Sequence, residues 1–200
     1  ARFGGSEDGI RIFNAPGRVN LIGEHTDYNG GYVFPAALTF GTTMLVRQKD
    51  DVNIRVASEN FALSGRMNPA HLVYRKEDEW INYPKAMMDQ LQKQGHRFPG
   101  YDILYAGAIP SGSGLSSSAS LLVVTGYGLL KMNGEQVDLV ELARTAQQAE
   151  NRFLGVNCGI MDPFAIAMGK RKHAMRLLCS TLDYEYVPFS TDEYRIVIGN

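Results

Sequence analysis

The stretch from residue 101 to residue 130 constrains the fold of this chain more than any other. It contains a strand pattern, YDILYAGAI, then a loop of small residues, PSGSGLSSSAS, and then a helix pattern, LLVVTGYGLL. The helix pattern is apolar on every side, and a helix of that kind is normally buried. We therefore expect this helix to lie in the core of the protein.

The remaining patterns predict one α+β domain over residues 1–200. Short β patterns fill the first sixty residues and return near the end, as IRIFN, VNLIG, YVFPAAL, TTMLVRQ, VNIRVAS, HAMRLLCS, YEYVPF and YRIVIG. The pair Asn29-Gly30 is a two-residue hairpin signal. Helices are predicted over residues 80–94 and over residues 138–155, the second with an apolar face of Leu139, Leu142, Ala143, Ala146, Ala149 and Phe153.

Composition restricts the class of partner. The 200 residues are 44% hydrophobic, and 20 Lys and Arg against 21 Asp and Glu leave a formal charge of −1. The chain therefore lacks the excess of positive charge typical of proteins that bind nucleic acid or an anionic membrane, and we expect small-molecule partners. The two cysteines, Cys158 and Cys179, form no CxxC pair, and we expect free thiols in a reducing compartment.

The ends of the chain and its apolar runs bear on location. No segment approaches eighteen uninterrupted apolar residues, and the start, ARFGGSEDG, lacks the layout of a signal peptide. We expect a cytoplasmic protein. The chain opens without Met and ends on a strand-like run, so we also expect it to be truncated. The oligomeric state is left open.

The loop PSGSGLSSSAS has the composition of an anion-binding turn. Gly112 and Gly114 let the backbone pass close to a phosphate, and the serines can cap the following helix or reach a metal ion. The Gly-Lys-Ser/Thr of a Walker A loop is absent, so countercharge must come from elsewhere. The alternative is an ordinary small-residue loop with a serine N-cap.

Glu150 stands on the apolar face of its predicted helix, four residues after Ala146 and seven after Ala143. A buried glutamate is uncommon unless it is paired, and Mg²⁺ near phosphates would supply the partner. The alternative is a residue at the stripe edge whose carboxylate reaches solvent.

Asp162 and Arg18 each have two interpretations. As a structural residue, Asp162 would be a helix N-cap with Pro163 at the first helical position. As a functional residue, Asp162 would take a proton from a substrate hydroxyl. Arg18 would hold that carboxylate ionised and offset charge on a transferring phosphoryl group. The alternative for Arg18 is a surface arginine.

Three segments together resemble the galactokinase branch of the GHMP family of small-molecule kinases. GRVNLIGEHTDYNGG resembles the galactokinase signature, PSGSGLSSSAS resembles the second family motif, and NCGIMD matches the segment that carries the catalytic Asp. They occur in the family order, and similarity runs from about Phe13 to the end of the chain. The resemblance implies a GHMP-type N-terminal domain, a mixed sheet packed with helices, and a second domain that is missing or truncated.

The resemblance also implies roles for individual residues. Asp162 would be the base and Arg18 the transition-state stabiliser. The galactose-binding residues would be Glu24, His25, Thr26, Asp27 and Gly159. The ATP-binding residues would be Ser58, Trp80, Gly112, Ser113, Gly114, Leu115, Ser116, Ser117 and Ser118. Mg²⁺ would be bound by Ser118 and Glu150. Without the family context, Trp80 would be a core aromatic.

The implied reaction is transfer of the γ-phosphoryl group of ATP to the C1 hydroxyl of galactose. Two alternatives stay open, an N-acetylgalactosamine kinase of the same family and a non-catalytic sensor of galactose and ATP. The chain departs from the family at Pro163, where a Gln usually follows the base, and proline would bias Asp162 toward extended dihedrals. It also departs at Arg176, inside an apolar strand pattern, and in length, because the third glycine-rich motif is absent.

Overall fold

The computed structural model describes residues 2–110, 112–189 and 196–198. The strands are β1 (Arg11–Asn20), β2 (Tyr32–Val33), β3 (Pro35–Lys49), β4 (Ile54–Ser58), β5 (Gly65–Met67), β6 (Gly100–Gly107), β7 (His173–Leu178) and β8 (Asp183–Pro188). The helices are α1 (Asn82–Lys93), α2 (Ser117–Met132), α3 (Leu139–Gln148) and α4 (Met161–Ala167). Short 3-10 helices cover Asp27–Asn29 and Lys76–Ile81, and a π-helical turn covers Ala149–Leu154.

The eight strands of the described residues form one mixed sheet. Its main order is β2-β7-β3-β6-β4-β5, with β1 paired to β3 and β8 paired to β7. The β4–β6 pair is parallel and the other pairs are antiparallel. The long strand β3 joins the two halves, because β1 runs along it while β6 and β7 pair with different parts of it. The predicted mixed sheet packed with helices is confirmed.

The helix predicted to be buried, α2, lies between the sheet and the other helices. It contacts β1 and β3 on one side and α1, α3 and α4 on the others. Two glycines allow this close packing. A Cβ at Gly126 would lie 2.2 Å from the Cε of Met87, and one at Gly128 would lie 3.0 Å from the sulfur of Met44. The all-round apolar pattern is therefore the signature of a helix with no solvent face.

The hairpin predicted at Asn29-Gly30 is wrong. Asn29 ends a 3-10 helix, and Gly30 caps it in the left-handed conformation with φ +73°. The chain reverses over a wide loop, residues 21–34, which is closed where the Leu21 N–H donates to the Phe34 carbonyl at 3.1 Å. A loop of this size can carry side chains toward a ligand, which a two-residue turn cannot.

The last strand prediction, YRIVIG, lies largely outside the described residues. Residues 194, 195 and 199 are not described, and residues 196–198 adopt no strand. The neighbouring predictions are confirmed as β7 and β8. In the described parts of the chain, no helix is long and apolar enough to cross a membrane.

Arg176, unexplained by the sequence pattern, lies on the exposed face of β7. It stands opposite Glu185 of β8 in the antiparallel register, and its Nη2 lies 2.8 Å from a Glu185 carboxylate oxygen. Its guanidinium also lies 5.6 Å from the centre of the Tyr32 ring. Arg176 is therefore a cross-strand partner on the outer face and does not interrupt the core.

Candidate active site

A bulge in β1 positions Arg18. The pairing of β1 with β3 shifts register between Pro16 and Arg18, and Gly17 occupies the bulge. A Cβ at Gly17 would lie 2.9 Å from the carbonyl oxygen of Leu115, so only glycine lets the strand approach the loop before α2 this closely. Bulges next to active sites commonly redirect a side chain. Here the bulge precedes an arginine whose Nη1 donates to the Gly114 carbonyl at 2.7 Å.

Arg18 forms a bidentate pair with Asp162. Its Nε donates to Oδ1 at 2.7 Å and its Nη2 to Oδ2 at 2.8 Å. The Arg18 side chain is only 13% exposed, so the alternative of an ordinary surface arginine is wrong. Two parallel hydrogen bonds fix the relative orientation of both groups as well as their separation.

The local structure around Asp162 differs from both expectations drawn from the sequence. Ile160 is the N-cap of α4, so Asp162 is the second helical residue and Pro163 the third. The predicted N-cap role of Asp162 and its predicted extended backbone are therefore wrong. Pro163 is buried in the first turn of the helix, where a missing N–H removes no intrahelical hydrogen bond. The proline is thus compatible with an aspartate aimed at Arg18.

The loop between β6 and α2 brings the predicted phosphate-binding residues to the same cleft. Gly112 and Gly114 have φ of +73° and +69°, and Ser116 has φ +60°. The described residues lining this cleft are Arg18, Pro110, Gly112, Ser113, Gly114, Leu115, Ser116, Ser117, Ser118 and Asp162. Ser116 is the N-cap of α2, but its hydroxyl does not cap the helix and donates to Asp162 instead. The predicted serine cap is therefore wrong in its side-chain bond.

A partly enclosed aromatic cavity of about 270 Å³ adjoins the cleft, because Ser117 and Ser118 line both. Ser58 and Trp80, which are far apart in sequence, both line it. Trp80 is also part of the core: it is 7% exposed, and its indole N–H donates to the Leu63 carbonyl at 3.1 Å. Trp80 is therefore both a core residue and a lining residue of this cavity.

The sequence analysis missed several residues of this cavity. Phe61 stacks on Trp80 with ring centres 6.1 Å apart, and Tyr105 meets Trp80 edge-on at 5.9 Å. Tyr83 lines the same space. Phe61 follows Ser58 by three residues and is 49% exposed. Its proximity to Ser58 was the one sequence signal available.

In the loop 21–34, Thr26 and Asp27 make bonds that fold the site. The Thr26 hydroxyl lies within hydrogen-bond distance of the carbonyls of Gly23 and Tyr32, at 2.7 and 2.6 Å, and can donate to either. The Asp27 carboxylate accepts from the Ile160 N–H at 2.9 Å and thereby caps α4 from outside its own segment.

Gly159 makes room for this contact between Asp27 and α4. A Cβ at Gly159 would lie 2.0 Å from an oxygen of Asp27. The structure therefore brings the loop 21–34 against the segment before Asp162.

Glu24 and His25 are the exposed members of the predicted sugar-binding set. Glu24 accepts a hydrogen bond from the Asn20 side chain at 2.9 Å. His25 has φ +63°, and its Nδ1 lies 2.6 Å from the Tyr28 hydroxyl. A non-glycine residue in this conformation is uncommon and is found often at functional sites. Both side chains are thus held in place by a neighbour while they stay accessible.

Glu150 is buried, and the predicted escape of its carboxylate to solvent is wrong. The residue is 6% exposed and lies in the π-helical turn that continues α3. The Cys158 thiol lies 3.1 Å from Glu150 Oε2. Burial raises the pKa of Glu150, while the Cys158 and Ser118 side chains lower it by a smaller amount. Among the described residues Glu150 has no ion-pair partner, and no cluster of three His, Cys, Asp or Glu side chains could hold a metal.

Comparison with known proteins gives the family. The model described as "Galactokinase galactose-binding signature" matches residues 1–48, and "GHMP kinases N terminal domain" matches residues 82–170. The galactokinase of Bacillus subtilis is 51% identical over 199 residues, and that of Clostridium beijerinckii 49% over 198 residues, each over 98% of this chain. This chain belongs to the galactokinase family. It spans about half the length of the curated galactokinases that it matches, 51% of each.

Solved structures agree with the galactokinase assignment. The Lactococcus lactis galactokinase, solved in complex with galactose, is 44% identical and superposes with a TM-score of 0.87 over 90% of this chain and 47% of its own. The Methanococcus jannaschii mevalonate kinase is 18% identical, with a TM-score of 0.75 over 91% of this chain and 57% of its own, and shares the fold. The galactokinase-family chain described here therefore has the expected GHMP N-terminal fold.

Proposed function

We propose that the full-length protein transfers the γ-phosphoryl group of ATP to the C1 hydroxyl of galactose, which gives galactose 1-phosphate and ADP. The observation that carries the proposal is the Arg18–Asp162 pair, located where β1 and the start of α4 meet the glycine- and serine-rich loop. Because the chain spans about half the length of its relatives, the activity is proposed for the full-length protein.

In the proposed reaction Asp162 accepts the proton of the C1 hydroxyl. The C1 oxygen forms a bond to the γ-phosphorus, the bond from that phosphorus to the β–γ bridging oxygen breaks, and ADP leaves. Arg18 orients the carboxylate and offsets charge on the transferring group. Phosphoryl transfer has a loose, charge-spread transition state, so positioning and electrostatics contribute more than the strength of the base.

The two substrates are assigned to two sides of the Arg18–Asp162 pair. On the sugar side, the galactose-binding residues are Glu24, His25, Thr26, Asp27 and Gly159, and the side chains of Glu24, His25 and Asp27 hydrogen-bond the sugar hydroxyls. A pocket that hydrogen-bonds hydroxyls rejects analogues that lack them. On the ATP side, the loop before α2 takes the phosphates, and the aromatic cavity takes the adenine base. The residues that the family resemblance assigns to ATP are Ser58, Trp80, Gly112, Ser113, Gly114, Leu115, Ser116, Ser117 and Ser118.

Mg²⁺ fits the residues near these phosphates. Glu150 is a buried carboxylate without a cationic partner among the described residues, and the Ser118 side chain interacts with it. A buried charge is costly unless it is paired, and Mg²⁺ commonly takes one or two carboxylates together with substrate oxygens. We assign Glu150 and Ser118 as its ligands. When bound, Mg²⁺ would neutralise charge on the phosphates of ATP.

The experiment measures ADP release by the full-length protein with galactose, with N-acetylgalactosamine and without sugar. Galactose-dependent release is expected. Equal or faster release with N-acetylgalactosamine would support the kinase of that sugar instead. No release despite binding of galactose and ATP would support a non-catalytic sensor. The cytoplasmic location of the protein also stays a prediction, which subcellular fractionation would test.

Replacing the proposed base tests the mechanism itself. Asp162→Asn should lower kcat by about 10²–10⁴, the contribution typical of a positioned base, while ATP still binds. Asp50→Asn is the matched control, because Asp50 is an exposed loop residue outside the cleft. Near-normal turnover in Asp162→Asn would remove Asp162 from the mechanism.

A further inference from the structure

We propose that Ser116 is a positioning residue whose hydroxyl holds the carboxylate of Asp162 instead of contacting ATP. This inference rests on the proposed function and changes the role that the family resemblance implies for Ser116. The hydroxyl of Ser116 donates to Oδ2 of Asp162 across 46 positions of sequence. Ser116 is buried, whereas its neighbour Ser117 is exposed toward the cleft.

The backbone of Ser116 indicates that its side chain has a specific use. Its φ of 60° and ψ of 49° lie in the left-handed region, which glycine adopts without steric cost and other residues adopt at a penalty. The side chain of a serine at a helix N-cap usually accepts a hydrogen bond from a backbone N–H of the first turn. The Ser116 side chain makes no such bond to α2. Instead of capping the helix, the Ser116 hydroxyl donates to Asp162.

The Ser116 bond adds a direct link between the Asp162 carboxylate and the loop before α2, whereas Arg18 links the two indirectly, through its bond to the Gly114 carbonyl. Arg18 holds one edge of the carboxylate through its Nε and Nη2 atoms and belongs to β1. Ser116 belongs to the loop proposed to hold the phosphates. Its bond therefore ties the proton acceptor to the phosphate-binding loop itself, so the two reacting sides of the site keep their separation. Misplacement of reacting groups by about 1 Å can cost 10²-fold in rate.

The test is Ser116→Gly in the full-length protein, because glycine accepts the left-handed backbone and removes only the hydroxyl. We expect kcat to fall by between about 10- and 100-fold. The KM values for ATP and galactose should stay within about twofold, because the lost bond acts on the transition state and not on binding. If Ser116 had a purely structural role, Ser116→Gly would instead lower thermal stability and would not lower kcat selectively at unchanged KM.

Lys172→Gly is the matched control. Lys172 also has φ +60°, but it lies outside the cleft and the cavity, so its replacement should leave both kcat and KM unchanged. Wild-type kcat in Ser116→Gly, or a raised KM for ATP with kcat retained, would overturn the inference. The second of these results would place the hydroxyl on the nucleotide.

A crystal structure of the wild-type protein with a non-hydrolysable ATP analogue decides the matter independently of activity. The Ser116 hydroxyl should remain within hydrogen-bond distance of Asp162 while the analogue is bound. A hydroxyl turned to a phosphate oxygen would overturn the inference, even if Ser116→Gly fails to fold. Absence of galactose-dependent ADP release by the wild type would count against the proposed function, whereas the crystallographic distance tests the role of Ser116 alone.

Discussion

Arg18 and Asp162 lie 144 positions apart, and their side chains meet edge to edge through two hydrogen bonds of 2.7 and 2.8 Å. The first residue follows a bulge in β1, and the second lies in the first turn of α4. The same guanidinium also donates to the Gly114 carbonyl of the glycine- and serine-rich loop. One arginine therefore links the three segments from which the site is built.

Arg18→Lys should lower kcat of the full-length protein by about 10²-fold, the loss typical when one donor to developing charge is removed. Lysine keeps the positive charge, but it cannot make two parallel hydrogen bonds to a carboxylate. Steady-state kinetics with galactose and ATP measure the effect. Arg11→Lys is the control and should keep wild-type kcat, because Arg11 lies exposed on the same strand, outside the cleft, where its guanidinium bonds to the Lys131 carbonyl and lies over the Phe13 ring. Wild-type kcat in Arg18→Lys would show that charge alone suffices.

Glu150→Gln should raise the Mg²⁺ concentration needed for half-maximal activity by at least about 10-fold, a loss that even indirect partners of a metal can cause. In metal-free protein the same variant should be at least as stable as the wild type, because it removes a buried charge without a cationic partner. A Mg²⁺ titration and a thermal unfolding curve measure the two effects. Glu141→Gln, on the exposed side of α3 and outside the cleft, should leave the Mg²⁺ requirement unchanged. An unchanged Mg²⁺ requirement in Glu150→Gln would exclude this residue as a ligand.

Asp102→Asn should destabilise the chain by about 1–3 kcal/mol at pH 7, the usual cost of leaving buried polar groups without partners. Asp102 is buried on β6 and accepts from Arg55 at 2.6 and 2.7 Å and from Arg47 at 2.9 Å. Burial raises the pKa of Asp102, but the hydrogen bonds from the two arginines outweigh burial, so its pKa lies below the ordinary 3.8.

The lowered pKa of Asp102 also sets the direction of a pH effect. A carboxyl group whose pKa is lower in the folded protein than in the unfolded protein stabilises the fold at pH values above its unfolded-state pKa. This stabilisation is lost as the pH falls through the folded-state pKa. Urea unfolding should therefore show the largest difference between wild type and Asp102→Asn near neutral pH and a smaller one in acid below 3.8. A difference that grows in acid would contradict this account, and Asp50→Asn should show no difference at either pH.

Local patterns predicted most of the elements, because helix and strand periodicity depends on near neighbours. The all-round apolar stretch 121–130 became the buried helix α2, and the stripe that includes Ala146 became α3. The predictions failed where a distant contact decides the geometry. Asn29-Gly30 carries a hairpin signal, but the chain there forms a 3-10 helix whose first residue, Asp27, bonds to the start of α4.

The motifs and their order, read from the sequence alone, determined which residue types are present for sugar, phosphate and metal binding, and they indicated the family. Only the tertiary structure decided what each group touches: that Asp162 is held by Arg18 and Ser116, that Asp27 caps α4, and that Glu150 is buried beside Cys158. For Asp162 and Asp27 the reason is that hydrogen bonds between segments 46 to 144 positions apart depend on how distant parts of the chain pack together. No periodicity within a single segment records that packing.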